Sequence, residues 1–193
     1  MTLHELTIKS RSYRTFDETE IVPKETLLSL IDTARLCPSA RNLQPLKYRL
    51  VTDREEVLDM VSLCKWGAAL KDTKLPPEGK LPSAFILICV DTEISTVEAS
   101  KIDVGIAAQT IMLEACEMGL GGCILMSFTP IDVSRSLLIP KQYTPTLAIA
   151  IGVPAEENVI LCKPTEAGDT TYYRTKGNLH FVPKRDLEDV ILK

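Results

Sequence analysis

Hydrophobic and polar positions alternate along the chain in segments of distinct period. Leu27, Leu28, Leu30, Ile31 and Ala34 recur at helical spacing after Pro23 and Glu25, which suit a first helical turn. This helix should stop near Cys37, because the residue before Pro38 avoids the α region. Ser83–Asp91 is nearly continuously apolar, the pattern of a central strand covered on both faces. Next comes the longest helix, from about Val97 or Lys101 to Met118. Ile102, Ile106, Ala107, Ile111, Met112, Leu113 and Ala115 occupy much of its circumference, as in a core helix or one half-buried between subunits.

Weaker signals fill the intervals. Residues 2–9 read as a short helix with Thr2 and Glu5 as a capping box. Leu46–Thr52 reads as a strand. Asp53 should cap a helix to about Leu63, with Glu56 completing a second box. Residues 65–82, with Trp66, Pro76, Pro77, Gly79 and Pro82, predict a short helix and then an irregular excursion of the kind that rims or lids a site. Strands are expected over Cys123–Phe128 and Pro145–Val153, and a helix over Asp132–Leu138. A hairpin turning at residues 176–178 joins Thr170–Thr175 to Leu179–Val182, and a last helical turn covers Lys184–Leu192. The sum is one α+β domain over residues 1–193, with a mixed four- to five-stranded sheet and helices on both faces.

Composition narrows the function classes. The net charge of −4, with both signs interspersed, lacks the basic footprint of a nucleic-acid binder. No apolar run approaches the length of a membrane span, and the opening residues lack a leader's apolar stretch, so a cytoplasmic location is expected. Six cysteines without a Cys-x-x-Cys, beside only two histidines, point to reduced interior thiols and no metal site.

Two polar clusters flank the Pro23 helix. Arg11-Ser12-Tyr13-Arg14-Thr15-Phe16 offers two guanidinium groups and a hydroxyl, which suit phosphate. Pro38-Ser39-Ala40-Arg41-Asn42-Leu43-Gln44-Pro45 offers a hydroxyl and two amides, which can read the edge of a planar heterocycle. A nucleotide or flavin would satisfy both. Gly119-Leu120-Gly121-Gly122 is no dinucleotide fingerprint, since the order is helix, glycines, strand.

Together these motifs resemble the FMN-dependent nitroreductase family. The likeness extends to Asp103-Val104-Gly105-Ile106-Ala107-Ala108-Gln109-Thr110, to the glycines before Cys123, to Ile149–Pro154 and to a terminal basic pair. It implies a three-layer α/β/α homodimer with FMN at the interface. Hydride would pass from NADH or NADPH through the flavin to a nitroaromatic, quinone or similar acceptor by a ping-pong mechanism, with no catalytic side chain. Arg11 and Ser12 would hold the phosphate, with Lys184 or Arg185 adding charge. Arg14 would lie by the pyrimidine side. Pro38, Ser39, Asn42 and Gln44 would come from the partner chain, and Leu125, Met126 and Ser127 would pass the reactive side of the ring. Two departures stand out: Ser10 where many relatives carry a further arginine, and Leu46 where Trp is frequent. The same scaffold also serves dehalogenation, flavin fragmentation and non-catalytic flavin binding, and the sequence separates these poorly from nitro reduction.

Overall fold

The apolar run at the centre of the chain becomes strand β2, Ala84–Asp91, buried at every position. The computed structural model describes residues 1–70, 73–155, 158–165, 168–175 and 179–192. In it, β2 lies inside a four-stranded sheet of order β1-β2-β4-β3, with β1 Leu46–Val51, β3 Gly121–Leu125 and β4 Tyr143–Gly152. Alternation along β2 feeds two cores. Ala84, Ile86, Ile88 and Val90 face helices α2 (Lys24–Ala34) and α4 (Lys101–Glu117). Phe85, Leu87 and Cys89 face α3 (Arg54–Leu63) and α5 (Pro130–Ser136). Each such Ile, Leu or Phe contributes about 1.5–3 kcal/mol on removal from water, so β2 anchors both outer layers.

Every hydrogen-bonded neighbour in this sheet is antiparallel. The mixed character expected from strand–helix alternation is present only indirectly. β2 and β3, joined through α4, run the same way, but β4 inserts between them and pairs antiparallel with both. Across from Cys89 sits Pro145, which has no N–H to donate, and the register shifts there between Ile88 and Cys89.

A second, three-stranded sheet of order β5-β7-β6 holds the parallel pair, between β5 (Asn158–Cys162) and β7 (Leu179–Pro183). The pattern reading did not anticipate β5. Strand β6 (Tyr173–Arg174) pairs antiparallel with β7, as a hairpin requires, while its turn at 176–178 lies outside the described residues. The terminal helical segment, α6, spans only Leu187–Val190.

Local signals were realised where a cap or a breaker acts within one turn. Helix α1, Leu3–Lys9, carries the reciprocal capping box: Glu5 N–H donates to Thr2 Oγ1 at 3.2 Å and Thr2 N–H to Glu5 Oε2 at 2.7 Å. At α3, Asp53 Oδ1 accepts from the N–H of both Glu55 and Glu56. The second box does not close, because Glu56 directs its carboxylate to Arg49, an ion pair at 2.7 Å. The short helix expected within 65–82 is absent among the described residues, which form turns instead. Glycines 67 and 79 adopt φ of 54° and 76° there, and Pro76 and Pro77 interrupt further helical hydrogen bonding. This stretch is tied down: Leu70, Leu75 and Leu81 are buried, and Trp66 packs edge-on to Phe85 at 6.3 Å while its indole donates to the Val61 carbonyl.

All six cysteines are free thiols, four of them buried. Burial pushes Cys64 and Cys89 up to about 12, from an ordinary 9.0. An acid whose folded value is raised contributes stability that is fully present below its unfolded value and lost as pH rises toward the folded one. The urea midpoint should therefore hold up to pH 9.0 and fall between there and about 12, with both thiols inert to alkylation until the chain unfolds. A flat midpoint through that range would contradict their burial. Among the described residues, no helix is long and apolar enough to cross a membrane.

Candidate functional site

The first cluster is fixed by backbone stitching along β3. Ser10, buried, donates its hydroxyl to the Met112 carbonyl on α4 at 3.3 Å. Ser12 bridges Gly122, and Tyr13 N–H donates to the Gly122 carbonyl at 2.9 Å. Gly122 must lack a side chain, since a Cβ there would meet Met112 Sδ at 2.7 Å and the Ala150 carbonyl at 2.8 Å. Phe16 bridges Pro154, and Asp17 N–H donates to Val153 at 2.8 Å. The segment is thus pinned between the edge strand and the end of β4.

Its side chains are presented differently. Ser12 is exposed and Arg11 half-buried. One Arg11 Nη donates to the Thr7 carbonyl, whereas its Nε is buried with no hydrogen-bond partner among the described residues. Burial pulls the guanidinium below its ordinary value, with Tyr13 and Cys116 acting the other way. Among the described residues no acid forms an ion pair with Arg11. A half-buried cation with an unsatisfied buried donor, next in sequence to an exposed hydroxyl, is suited to an anion. Arg14 is 9% exposed; its Nη1 donates to the Ser12 carbonyl at 3.2 Å and its Cζ lies 5.1 Å from the Tyr172 ring centroid.

The second cluster forms a tight loop around a 3₁₀ turn, Ala40–Asn42. Arg41, Asn42 and Gln44 all take left-handed backbone, with φ of 52°, 55° and 51°. Left-handed non-glycine residues persist where the surroundings over-determine them, and such strain gathers at functional sites. Here Ser39 Oγ accepts from Gln44 N–H at 3.0 Å, and the Gln44 amide donates to Asn42 Oδ1 at 3.3 Å. Asp103, buried in the first turn of α4, accepts the Ala40 N–H at 3.2 and 3.3 Å through its two oxygens. A cleft of about 210 Å³ opens beside the loop, lined by Cys37, Pro38, Ser39, Gln44, Tyr48 and Asp103. Asn42 stands exposed at the tip, and Leu46 lines the cleft while packing on the core.

In the sequence Asp103 stands only within a helix motif; its anchoring role emerges from the fold. Replacing it with Ala should release the loop and cost about 1–2 kcal/mol. Hydrogen exchange at the Ala40 amide would rise well above the global opening rate, and an unchanged rate would deny the anchor.

The remaining candidates are dispersed. Leu125 is buried, whereas Met126 and Ser127 are exposed just past β3, with the Ser127 carbonyl accepting Lys65 N–H at 2.9 Å. Lys184 and Arg185 are exposed after β7, and among the described residues no hydrogen bond or ion pair joins them to Arg11 or Ser12.

One relation governs the whole arrangement. The 38–44 loop is held at the start of α4 by Asp103, while Arg11 neighbours Cys116 near its end. At 1.5 Å per residue these points are about 20 Å apart along the helix. Within one chain the two clusters do not meet.

A family model described as the nitroreductase family matches residues 9–153. A protein of Methanothermobacter thermautotrophicus named "Putative NADH dehydrogenase/NAD(P)H nitroreductase" is 28% identical over 152 residues, covering 76% of this chain and 74% of that protein. The structure of an FMN-dependent nitroreductase from Clostridium difficile R20291 superposes with a TM-score of 0.66 at 26% identity, over 81% of this chain and 90% of the other. A protein from Streptococcus pneumoniae TIGR4, 19% identical, shares the fold over 100% of both chains with a TM-score of 0.71.

Proposed function

The chain belongs to the nitroreductase family, and on that premise we propose that it is an FMN-dependent oxidoreductase using NADH or NADPH to reduce a nitroaromatic, quinone or similar acceptor by a ping-pong mechanism. The observation that carries this reading is the Arg11–Ser12 pair: a half-buried guanidinium whose buried Nε has no partner among the described residues, followed in sequence by an exposed hydroxyl. That donor set fits the dianionic phosphate of FMN. When bound, FMN supplies the hydride chemistry between nicotinamide and acceptor.

The chain's own residues hold and orient. Arg11 and Ser12 would grip the phosphate, with Lys184 or Arg185 adding positive charge. Arg14, buried and held by Ser12 and Tyr172, would lie by the pyrimidine side, where a cation would favour the reduced cofactor. Leu125, Met126 and Ser127 would pass the reactive side of the ring and offer it a backbone N–H. Met126 lies about 13 Å along the strand from Gly122, a span suited to a nucleotide and longer than a phosphate alone.

The second cluster reaches this site from a partner chain. A two-fold pair with antiparallel α4 helices sets the start of one helix beside the end of the other, so that the partner's 38–44 loop meets Arg11 and Arg14. Ile102, at 76% exposure, and half-buried Ile106 and Leu113 give α4 apolar surface for that contact. The described residues of the 65–82 stretch would rim the acceptor side.

An absorbance spectrum of protein equilibrated with FMN, followed by anaerobic titration with each nicotinamide, tests the proposal. A flavin band that bleaches is the expected result. Protein that takes up no FMN ends the reading, and bound FMN that neither nicotinamide bleaches makes the chain a flavin binder.

A further inference from the structure

Tyr172 lies outside residues 9–153, which match the family, yet its ring covers Arg14. Three separate segments clamp that ring. Its hydroxyl accepts the Ala69 N–H at 3.3 Å, from the turn in the 65–82 stretch. Its other ring neighbour is His180 on β7, with centroids 5.5 Å apart and planes at 32°. His180 is itself 1% exposed and accepts at Nδ1 from Arg174 Nε at 3.2 Å. On the stem side of the arginine, the Cβ position of Gly67 lies 3.6 Å from Arg14 Cδ.

We propose that Tyr172 is a positioning residue for Arg14: the segment leading into β6 holds an aromatic face against the guanidinium and so sets the cation's place at the flavin. This rests on the reading that Arg14 faces the pyrimidine side. An arginine stem has many rotamers, and a cation fixed beforehand stabilises developing charge without having to reorganise. The ring face attracts a cation through its quadrupole, most strongly where water is excluded. Arg14, at 9% exposure, is in such a place. The cost of ordering Arg14 is thereby met when β6 pairs with β7.

The test is the two-electron midpoint potential of bound FMN, measured with FMN affinity and thermal unfolding, in four proteins: wild type, Arg14→Gln, Tyr172→Leu and Tyr172→Phe. Tyr172→Leu should lower the preference for reduced over oxidised FMN about tenfold, which for a two-electron couple is about 30 mV. Arg14→Gln should lower it at least as far. Tyr172→Phe keeps the ring without the hydroxyl and should retain the wild-type potential. If Tyr172→Leu leaves the potential unchanged or raises it while Arg14→Gln lowers it, Tyr172 is packing alone and the proposal fails with the flavin reading intact. If Arg14→Gln changes neither potential nor affinity, Arg14 is not at the flavin and both readings fail. Should Tyr172→Leu not fold, Tyr172→Met, which also lacks a ring, makes the same comparison.

Discussion

Arg11→Gln is expected to weaken FMN binding about 30- to 100-fold while the protein stays folded. Hydrogen bonds to charged groups contribute about 1.5–3 kcal/mol each, and the substitution removes the charge with the donor fork. The fold should tolerate the change, because the described contact of the guanidinium is one bond to the Thr7 carbonyl at the end of α1. Arg11→Lys should fall between the two, keeping a point charge without the planar fork. Wild-type affinity should decline with added salt, and that slope should flatten in Arg11→Gln. Quenching of FMN fluorescence reads all of this; an unchanged Kd would remove the phosphate from this loop.

Phe16→Ala should cost about 3–5 kcal/mol, a large share of the 5–15 kcal/mol typical of a domain. Phe16 is 0% exposed and packs in the core between the sheet and the α3–α5 layer. It is fitted to Gly152, where a Cβ would lie 2.8 Å from Phe16 Cδ1. Its backbone also ties the loop to Lys80 and to Pro154. Phe16 is therefore the mount on which Arg11, Ser12 and Arg14 are carried, and FMN affinity should fall along with stability. Urea unfolding would show a lowered midpoint with m unchanged. A loss below about 1 kcal/mol would mean that the site collapses without a cavity, and that the loop is held elsewhere.

What was legible in the sequence shares one property: the forces act within a turn or two of chain. The Thr2–Glu5 box, the Asp53 cap, the stop of α2 before Pro38 and the two-sided burial of β2 all follow from local geometry and period. Both polar clusters were identified by residue type, and their separation by α2 was plain. What escaped needs partners distant in sequence. β5 gains its place from β7, twenty-odd residues on, and in a parallel register that no turn announces. β4 inserts between β2 and β3, which turns an apparently mixed sheet antiparallel. Glu56 was read as a cap because its competitor, Arg49, sits on the preceding strand. Asp103 and Tyr172 carry no local mark of their roles, since one anchors a loop from another helix and the other covers an arginine near the opposite end of the chain. The placement of the two clusters at opposite ends of α4 follows from no local pattern; in the sequence only the family resemblance assigns the second cluster to a partner chain.

That opposition makes the shared site the central claim, and subunit mixing tests it most directly. An Arg11→Gln chain lacks the phosphate grip, and a chain carrying Ser39→Ala with Asn42→Ala lacks the loop that reaches across. Each pure variant should bind FMN poorly. Unfolded, mixed in equal amounts and refolded together, they should regain about a quarter of the wild-type sites, because half of the pairs are mixed and each mixed pair holds one intact site. Recovery near that level is the predicted result, and binding no better than that of the separate variants would contradict a site built from two chains.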